Sequence, residues 1–218
     1  REIRERGQPS EKKSDIKRNA SRTTKSAARA APTVFFVLCD DKLALELGAD
    51  IHGAVPDVFV NADGFKKSIS SPGPGNYITL SKAVAAMRSL LGDDAVRTRS
   101  FIQAHGSSTP QNRVTESHIL STVAASFGIP NWPVAALKAQ IGHSLASSAG
   151  DQLAGALGLW RYGILPGILS TDRIADDVHV ANLDFLLQHR DVGREGMDAV
   201  LITSKGFGGN NATASILA

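Results

Sequence analysis

Three short apolar runs, residues 100–104, 134–137 and 199–204, each pass directly into a polar or glycine-bearing loop, and helical patterns stand between them. That alternation constrains the fold more than any other feature. A short run without polar positions suits a strand covered on both faces, and strands separated by helices assemble into layered sheets. The spacing predicts helices over residues 77–91, 115–127 and 145–162, with Gly92 closing the first. Upstream, the run from Val34 to Cys39 is β-branched and aromatic and reads as the first buried strand. Asp40 and Asp41 then open a short helix that Gly48 stops, and residues 51–60 read as another strand. The stretch SSPGPGN at 70–76 holds too much proline and glycine for regular structure and is expected as a loop. The final run, residues 211–217, follows the 199–204 strand after a short turn, which predicts an antiparallel pair. The expected class is α/β, with helices layered around a mixed sheet.

Composition matters here mainly because it is uneven. The 218 residues, 42% hydrophobic and 21% charged, suffice for one globular domain with a real core. The net charge of +3 divides into +6 over residues 1–31, with ten Lys or Arg against four Asp or Glu, and −3 over the rest, 14 against 17. Residues 1–32 are therefore expected as a basic, disordered arm and residues 33–218 as the folded domain. The arm lacks aromatics and an organised motif, so nucleic acid is not its expected partner. No run of eighteen apolar residues and no signal-peptide pattern occurs, which predicts a cytoplasmic protein with no membrane span. The single cysteine, Cys39, excludes an internal disulfide and a cysteine-based metal cage. Set in an apolar run and followed by two acids, it is expected to be a buried structural residue rather than a nucleophile.

The chemistry concentrates in three loops that follow predicted strands, at the sheet edge where α/β proteins bind ligands: AHGSSTP, KAQIGHSLASSAG and KGFGGNN. In the first, His105 ends a strand and precedes Gly106, Ser107, Ser108 and Thr109, which sets an imidazole beside hydroxyls on a tight backbone. In the second, Lys138 ends a strand and His143 lies five residues on, so a cation and an imidazole can share a pocket. In the third, Gly206, Gly208 and Gly209 surround Phe207, giving a flexible turn with one bulky side chain.

These three segments, in this order, resemble the HGT-type, KxxxGH and GFGG motifs of the β-ketoacyl synthase family, and the similarity extends over about residues 33–218. The resemblance implies a thiolase-like fold, of which this chain supplies the C-terminal half. It also implies decarboxylative Claisen condensation of acyl and malonyl thioesters carried on the phosphopantetheine of acyl carrier protein, in fatty-acid or polyketide biosynthesis. No other cofactor and no metal is implied. By the same resemblance His105 and His143 donate hydrogen bonds to the enolate oxygen, and Lys138 orients His105 and keeps it neutral. Glu116 is implied as the ion-pair partner of Lys138. Ser107 and Thr109 match hydroxyls that bind the pantetheine arm, and Phe207 matches a gating phenylalanine on the glycine loop. The placement of the three loops after predicted strands leads to the expectation that His105, Lys138, His143 and Phe207 line one cavity. The family's nucleophilic cysteine belongs to the other half, so the implied partners are acyl carrier protein and an N-terminal half or homologous subunit, with a dimer as the complete enzyme. A non-catalytic partner of the chain-length-factor type is the alternative. Two positions depart from the pattern. Arg113 stands where an acid is common, which implies a different polar network around Lys138, and Lys205 replaces a frequently apolar residue before the glycine loop, which implies a different acyl-chain preference.

Overall fold

The computed structural model describes residues 34–63, 73–107 and 109–218; the basic arm and residues 70–72 of the SSPGPGN stretch lie outside the described residues, and residues 74–76, expected as loop, are the first turn of a helix. In chain order the elements are α1 (Asp41–Glu46), β1 (Ala54–Ala62), α2 (Pro74–Leu91), α3 (Asp93–Thr98), β2 (Ser100–Gln103), α4 (Pro110–Ser126) and β3 (Trp132–Ala135). They continue with α5 (Lys138–Ile141), a 3-10 turn (Leu145–Ser147), α6 (Ser148–Tyr162), β4 (Ile164–Leu165), β5 (Leu183–Phe185), β6 (Arg190–Asp191), β7 (Ala199–Lys205) and β8 (Asn210–Leu217). Six strands form one mixed sheet in the order β1-β8-β7-β2-β3-β5, and β4 pairs with β6 apart from it.

The sheet is covered on both faces, and the strand residues alternate between the two layers. Phe101, Val200 and Ile202 pack with Ala156 and Leu159 of α6, whereas Ile102 and Leu201 pack with Leu80, Val84 and Met87 of α2 and with Ile119, Leu120 and Val123 of α4. Two-sided burial is why these strands carry no exposed polar position and read as continuous apolar runs. β7, β2, β3 and β5 are parallel, with Gln103 level with Ala135 on one side and Ile202 on the other. Parallel pairing puts the ends of β2, β3 and β7, and so the three glycine-bearing loops, on a single edge. β8 returns antiparallel to β7 as expected, and β1 adds antiparallel beyond it.

Two helices start earlier than the apolar spacing alone indicates, for the same reason. Pro74 and Pro110 each occupy the first turn, where proline's fixed φ suits a helix and its missing N–H costs nothing. Thr109 caps α4 by accepting from Asn112 N–H at 3.3 Å, and Asp63 caps α2 from outside by accepting from Gly75 N–H at 2.7 Å. The helix expected over 145–162 is interrupted: Leu145 has φ 59, the left-handed region, so the α-helix begins only at Ser148.

The expectation for residues 34–39 does not hold. The run joins no strand among the described residues, and Phe35, Val37, Leu38 and Cys39 are exposed. A β-branched run becomes a buried strand only where a neighbour takes its main-chain N–H and C=O groups. Val34 and Phe36 instead lie beside Gly150 at the start of α6. Cys39 is therefore not a buried structural residue.

Candidate active site

The shared edge brings the two histidines together. The rings of His105 and His143 are 5.3 Å apart, centre to centre, at an interplanar angle of 82°. His105 is fully buried at the end of β2; its Nδ1 accepts from the main-chain N–H of Lys205 at 3.3 Å, which leaves the ring proton on Nε2. That Nε2 is buried and has no hydrogen-bond partner among the described residues. His143 is set the same way, its Nδ1 accepting from Leu145 N–H at 3.0 Å, and the backbone turns into the left-handed region at Leu145. Strain of this kind is commonly stored at sites that need one fixed geometry. The result is two imidazoles with neutral Nε2–H donors as neighbours.

Burial favours the neutral rings. Desolvation lowers the His105 pKa to about 4, helped by the positive charges of Lys138, His143 and Lys205 and opposed by Glu116. Desolvation and Lys138 lower that of His143 as well. Lys138, itself buried, is pushed down to about 8 by desolvation, with Glu116 and Asp151 pulling the other way.

Glu116 supports the site by a different route from the one the sequence suggested. Its carboxylate accepts from the main-chain N–H of His105 at 2.7 Å and of Gly106 at 2.9 Å, and from Asn112 Nδ2 at 2.8 Å. Thr203 Oγ1 donates to it at 3.3 Å. It clamps the backbone of the histidine loop, one turn and a half into α4, rather than forming the ion pair with Lys138. The Lys138 ammonium donates to Gln152 Oε1 at 3.1 Å. Gln152 is fully buried on α6, and its Nε2 donates to the carbonyls of Gln103 and Ala104 at 2.9 and 2.8 Å. Lys138 also lies on the one-turn helix α5 rather than at a strand end, because β3 stops at Ala135 and the main chain then turns through Ala136–Ala139 and Leu137–Gln140 hydrogen bonds.

The remaining expected residues divide. Ser107 Oγ is buried and unpartnered among the described residues, and Thr109 is spent on the α4 cap. Gly106 is required at its place: φ is +52, and an added Cβ would stand 2.7 Å from Ala136 Cβ. His143 and Gly206 line an open cavity of about 290 Å3 together with Val60, Leu145, Lys205 and Asn210. Of the four residues expected to share one cavity only His143 lines this one; His105 and Lys138 are buried and Phe207 is 81% exposed, so the expected four-residue cavity is not formed. Arg113 does not enter the Lys138 network: it turns to the surface and pairs with Asp177 through both Nε, at 2.9 Å, and Nη2, at 2.8 Å. Lys205 is buried, its ammonium 3.5 Å from Asn112 Oδ1.

Gln152 was missed as a site residue, and Lys205 was singled out only for acyl-chain preference and not as a support of His105. Each had a signal: a polar residue on the buried stripe Ser148, Ala156 and Leu159 of a helix, and a charge ending an otherwise apolar strand. No group of three or more His, Cys, Asp or Glu among the described residues could hold a metal. No helix among them is long and apolar enough to cross a membrane.

Comparison with known proteins identifies the family. The family described as "Beta-ketoacyl synthase, C-terminal domain" matches residues 52–172, more than half of the chain. The chain is 59% identical over 189 residues to the β-ketoacyl-[acyl-carrier-protein] synthase FabY of Pseudomonas aeruginosa, covering 86% of this chain and 30% of that protein. It is 26% identical to 3-oxoacyl-[acyl-carrier-protein] synthase 1 of Haemophilus influenzae, over 78% of this chain and 38% of that one. The crystal structure of the Pseudomonas ketosynthase FabY superposes with a TM-score of 0.78 over 82% of this chain and 28% of that chain. The chain thus spans about a third of the length of these relatives. With the histidine loops on one sheet edge, the thiolase-like α/β layering and a match across most of its described length, the chain belongs to the β-ketoacyl synthase family, as its C-terminal domain.

Proposed function

We propose that this chain is the C-terminal part of a 3-oxoacyl-[acyl-carrier-protein] synthase and that His105 and His143 hold the oxyanion formed when a malonyl thioester loses carbon dioxide. One observation carries the reading: the buried, unpartnered Nε2 of His105 beside the His143 ring, with both Nδ1 atoms engaged by main-chain N–H groups. As the bond to the malonyl carboxylate breaks, its electron pair spreads onto the thioester oxygen and carbon dioxide leaves. Two preset N–H donors stabilise that charge without reorganising. The enolate carbon then attacks the acyl group of an acyl-enzyme thioester and displaces its thiolate. The thiol belongs to a segment outside these residues in this reading, since Cys39 is exposed and flanked by Asp40.

Acyl carrier protein is the proposed partner, its phosphopantetheine presenting the thioesters, and the free hydroxyl of Ser107 suits an amide of that arm. The active form is proposed to be completed by an N-terminal half and to dimerise. The test is a chimera in which residues 33–218 replace the matching segment of the Pseudomonas aeruginosa relative. The chimera should release carbon dioxide from malonyl thioester and condense it, and His105→Ala or His143→Ala should lower release by about 100- to 1000-fold. A folded chimera indifferent to both substitutions overturns the reading. It would favour a non-catalytic partner of the chain-length-factor type, which needs the shape of the fold and not the imidazoles.

A further inference from the structure

Lys205 is a buried charged residue of the site that the proposed reaction leaves without a role. It ends β7, is only 9% exposed, and touches the machinery at both its ends. Its main-chain N–H donates to His105 Nδ1 at 3.3 Å, and its ammonium reaches Asn112 Oδ1 at 3.5 Å. The other end of that amide donates to Glu116 Oε2 at 2.8 Å, so Asn112 is oriented by a cation on its oxygen and an anion on its nitrogen. Glu116 closes the circuit on the His105 and Gly106 main chain.

We propose that Lys205 is a positioning residue: its buried ammonium keeps Glu116 as the anion that clamps the His105–Gly106 backbone, while its main-chain N–H fixes the imidazole tautomer. The link to catalysis rests on the function proposed above; the electrostatic link does not.

A buried carboxyl group tends to take up a proton, and a protonated one would turn an O–H toward one of the N–H groups it now accepts from. For Glu116, burial indeed pushes the pKa up. The Lys205 charge is the largest effect against it, joined by His105 and by hydrogen bonds from Gly106 and Asn112, and together they hold it below its ordinary value. The other charged groups facing this cluster are Lys138, whose ammonium is bonded to Gln152, with Asp151 near it, and His143 beside the His105 ring. Lys138 acts on the histidines across the pocket; Lys205 acts on the carboxylate that holds the loop.

The experiment follows the Glu116 carboxyl by 13C NMR during acid titration of the full chain, as wild type, Lys205→Met and Lys205→Arg. Wild-type Glu116 should titrate below the ordinary glutamate range. Lys205→Met should raise its midpoint by about one pH unit or more, and Lys205→Arg should restore it. The Nε2–H tautomer of His105, read from imidazole 15N shifts, should survive in both variants because the main-chain donor remains. In the chimera, Lys205→Met should move the acid limb of malonyl decarboxylation upward, since losing the cation raises the pKa of both Glu116 and His105, and Lys205→Arg should return it. An unchanged Glu116 midpoint in Lys205→Met overturns the proposal. So does wild-type Glu116 titrating at or above its ordinary value, a result readable even where the methionine variant fails to fold. A shifted Glu116 midpoint in a chimera that does not decarboxylate supports the role of Lys205 and counts against the proposed reaction instead.

Discussion

At the residue scale the site is organised around keeping one imidazole neutral. His105 is buried on every side, and its pKa of about 4 follows first from that desolvation and then from the cations around it. The sign of its effect on stability follows from linkage. A histidine with a depressed folded value binds its proton more readily when unfolded, so its contribution is present above the unfolded value of about 6.5 and is lost as pH falls from there to about 4. The loss amounts to about 3 kcal/mol and is complete below both values. Urea midpoints measured from pH 7 to pH 4 should fall accordingly, and His105→Gln should flatten that part of the profile. Equal slopes in the two proteins would show that another group controls acid stability. Glu116 adds to the loss at lower pH, since its folded value is also depressed.

Elements matter through how they begin and end. α4 carries both the capping Thr109 and the clamp Glu116, seven residues apart, so the same helix start that satisfies main-chain N–H groups also places a carboxylate under the histidine loop. Thr109→Ala removes the cap acceptor and should lower stability by about 1 kcal/mol, roughly 2–4 °C in melting temperature for a chain of this size. Thr109→Ser keeps the hydroxyl and should restore most of it. If alanine and serine melt alike, the hydroxyl is not supporting the helix and is available to a ligand. The start of α6 is ordered by different means: the 3-10 turn and left-handed Leu145 break what the apolar spacing shows as one helix, and the Leu145 N–H at that break donates to His143 Nδ1.

For the molecule as a whole, the two packed layers leave a third surface uncovered. Val60, Leu145, Ala146 and Ala149 line the concavity that holds His143, and Val34 and Phe36 lie against the same start of α6. Val60, Leu145, Phe35 and Val37 are exposed, and exposed apolar surface of this kind favours association. The isolated chain is therefore expected to self-associate. Sedimentation velocity over a concentration series should show mass rising with concentration, and addition of a matching N-terminal half should suppress it. A monomer at every concentration would mean that these residues fold onto one another in solution.

What the sequence by itself determined were the properties set by near neighbours in the chain. Two-sided burial writes an apolar run, so β2, β3 and β7 were legible within a few residues, as was the antiparallel return of β8. Glycine and proline mark loops locally, and three such loops after strands were enough to select His105, Lys138 and His143. The tertiary structure decided everything that depends on which group lies across a gap. Whether Val34–Cys39 becomes a strand depends on a partner for its main chain, and the described structure provides none. Whether Glu116 serves Lys138 or the His105 backbone depends on how separate elements are placed against one another, which puts the His105 N–H 2.7 Å from the carboxylate. Gln152 and Lys205 entered the site for the same reason, since a buried cation takes whatever acceptor the fold brings within hydrogen-bond range, and residues 14 and 93 positions away in the chain supplied them.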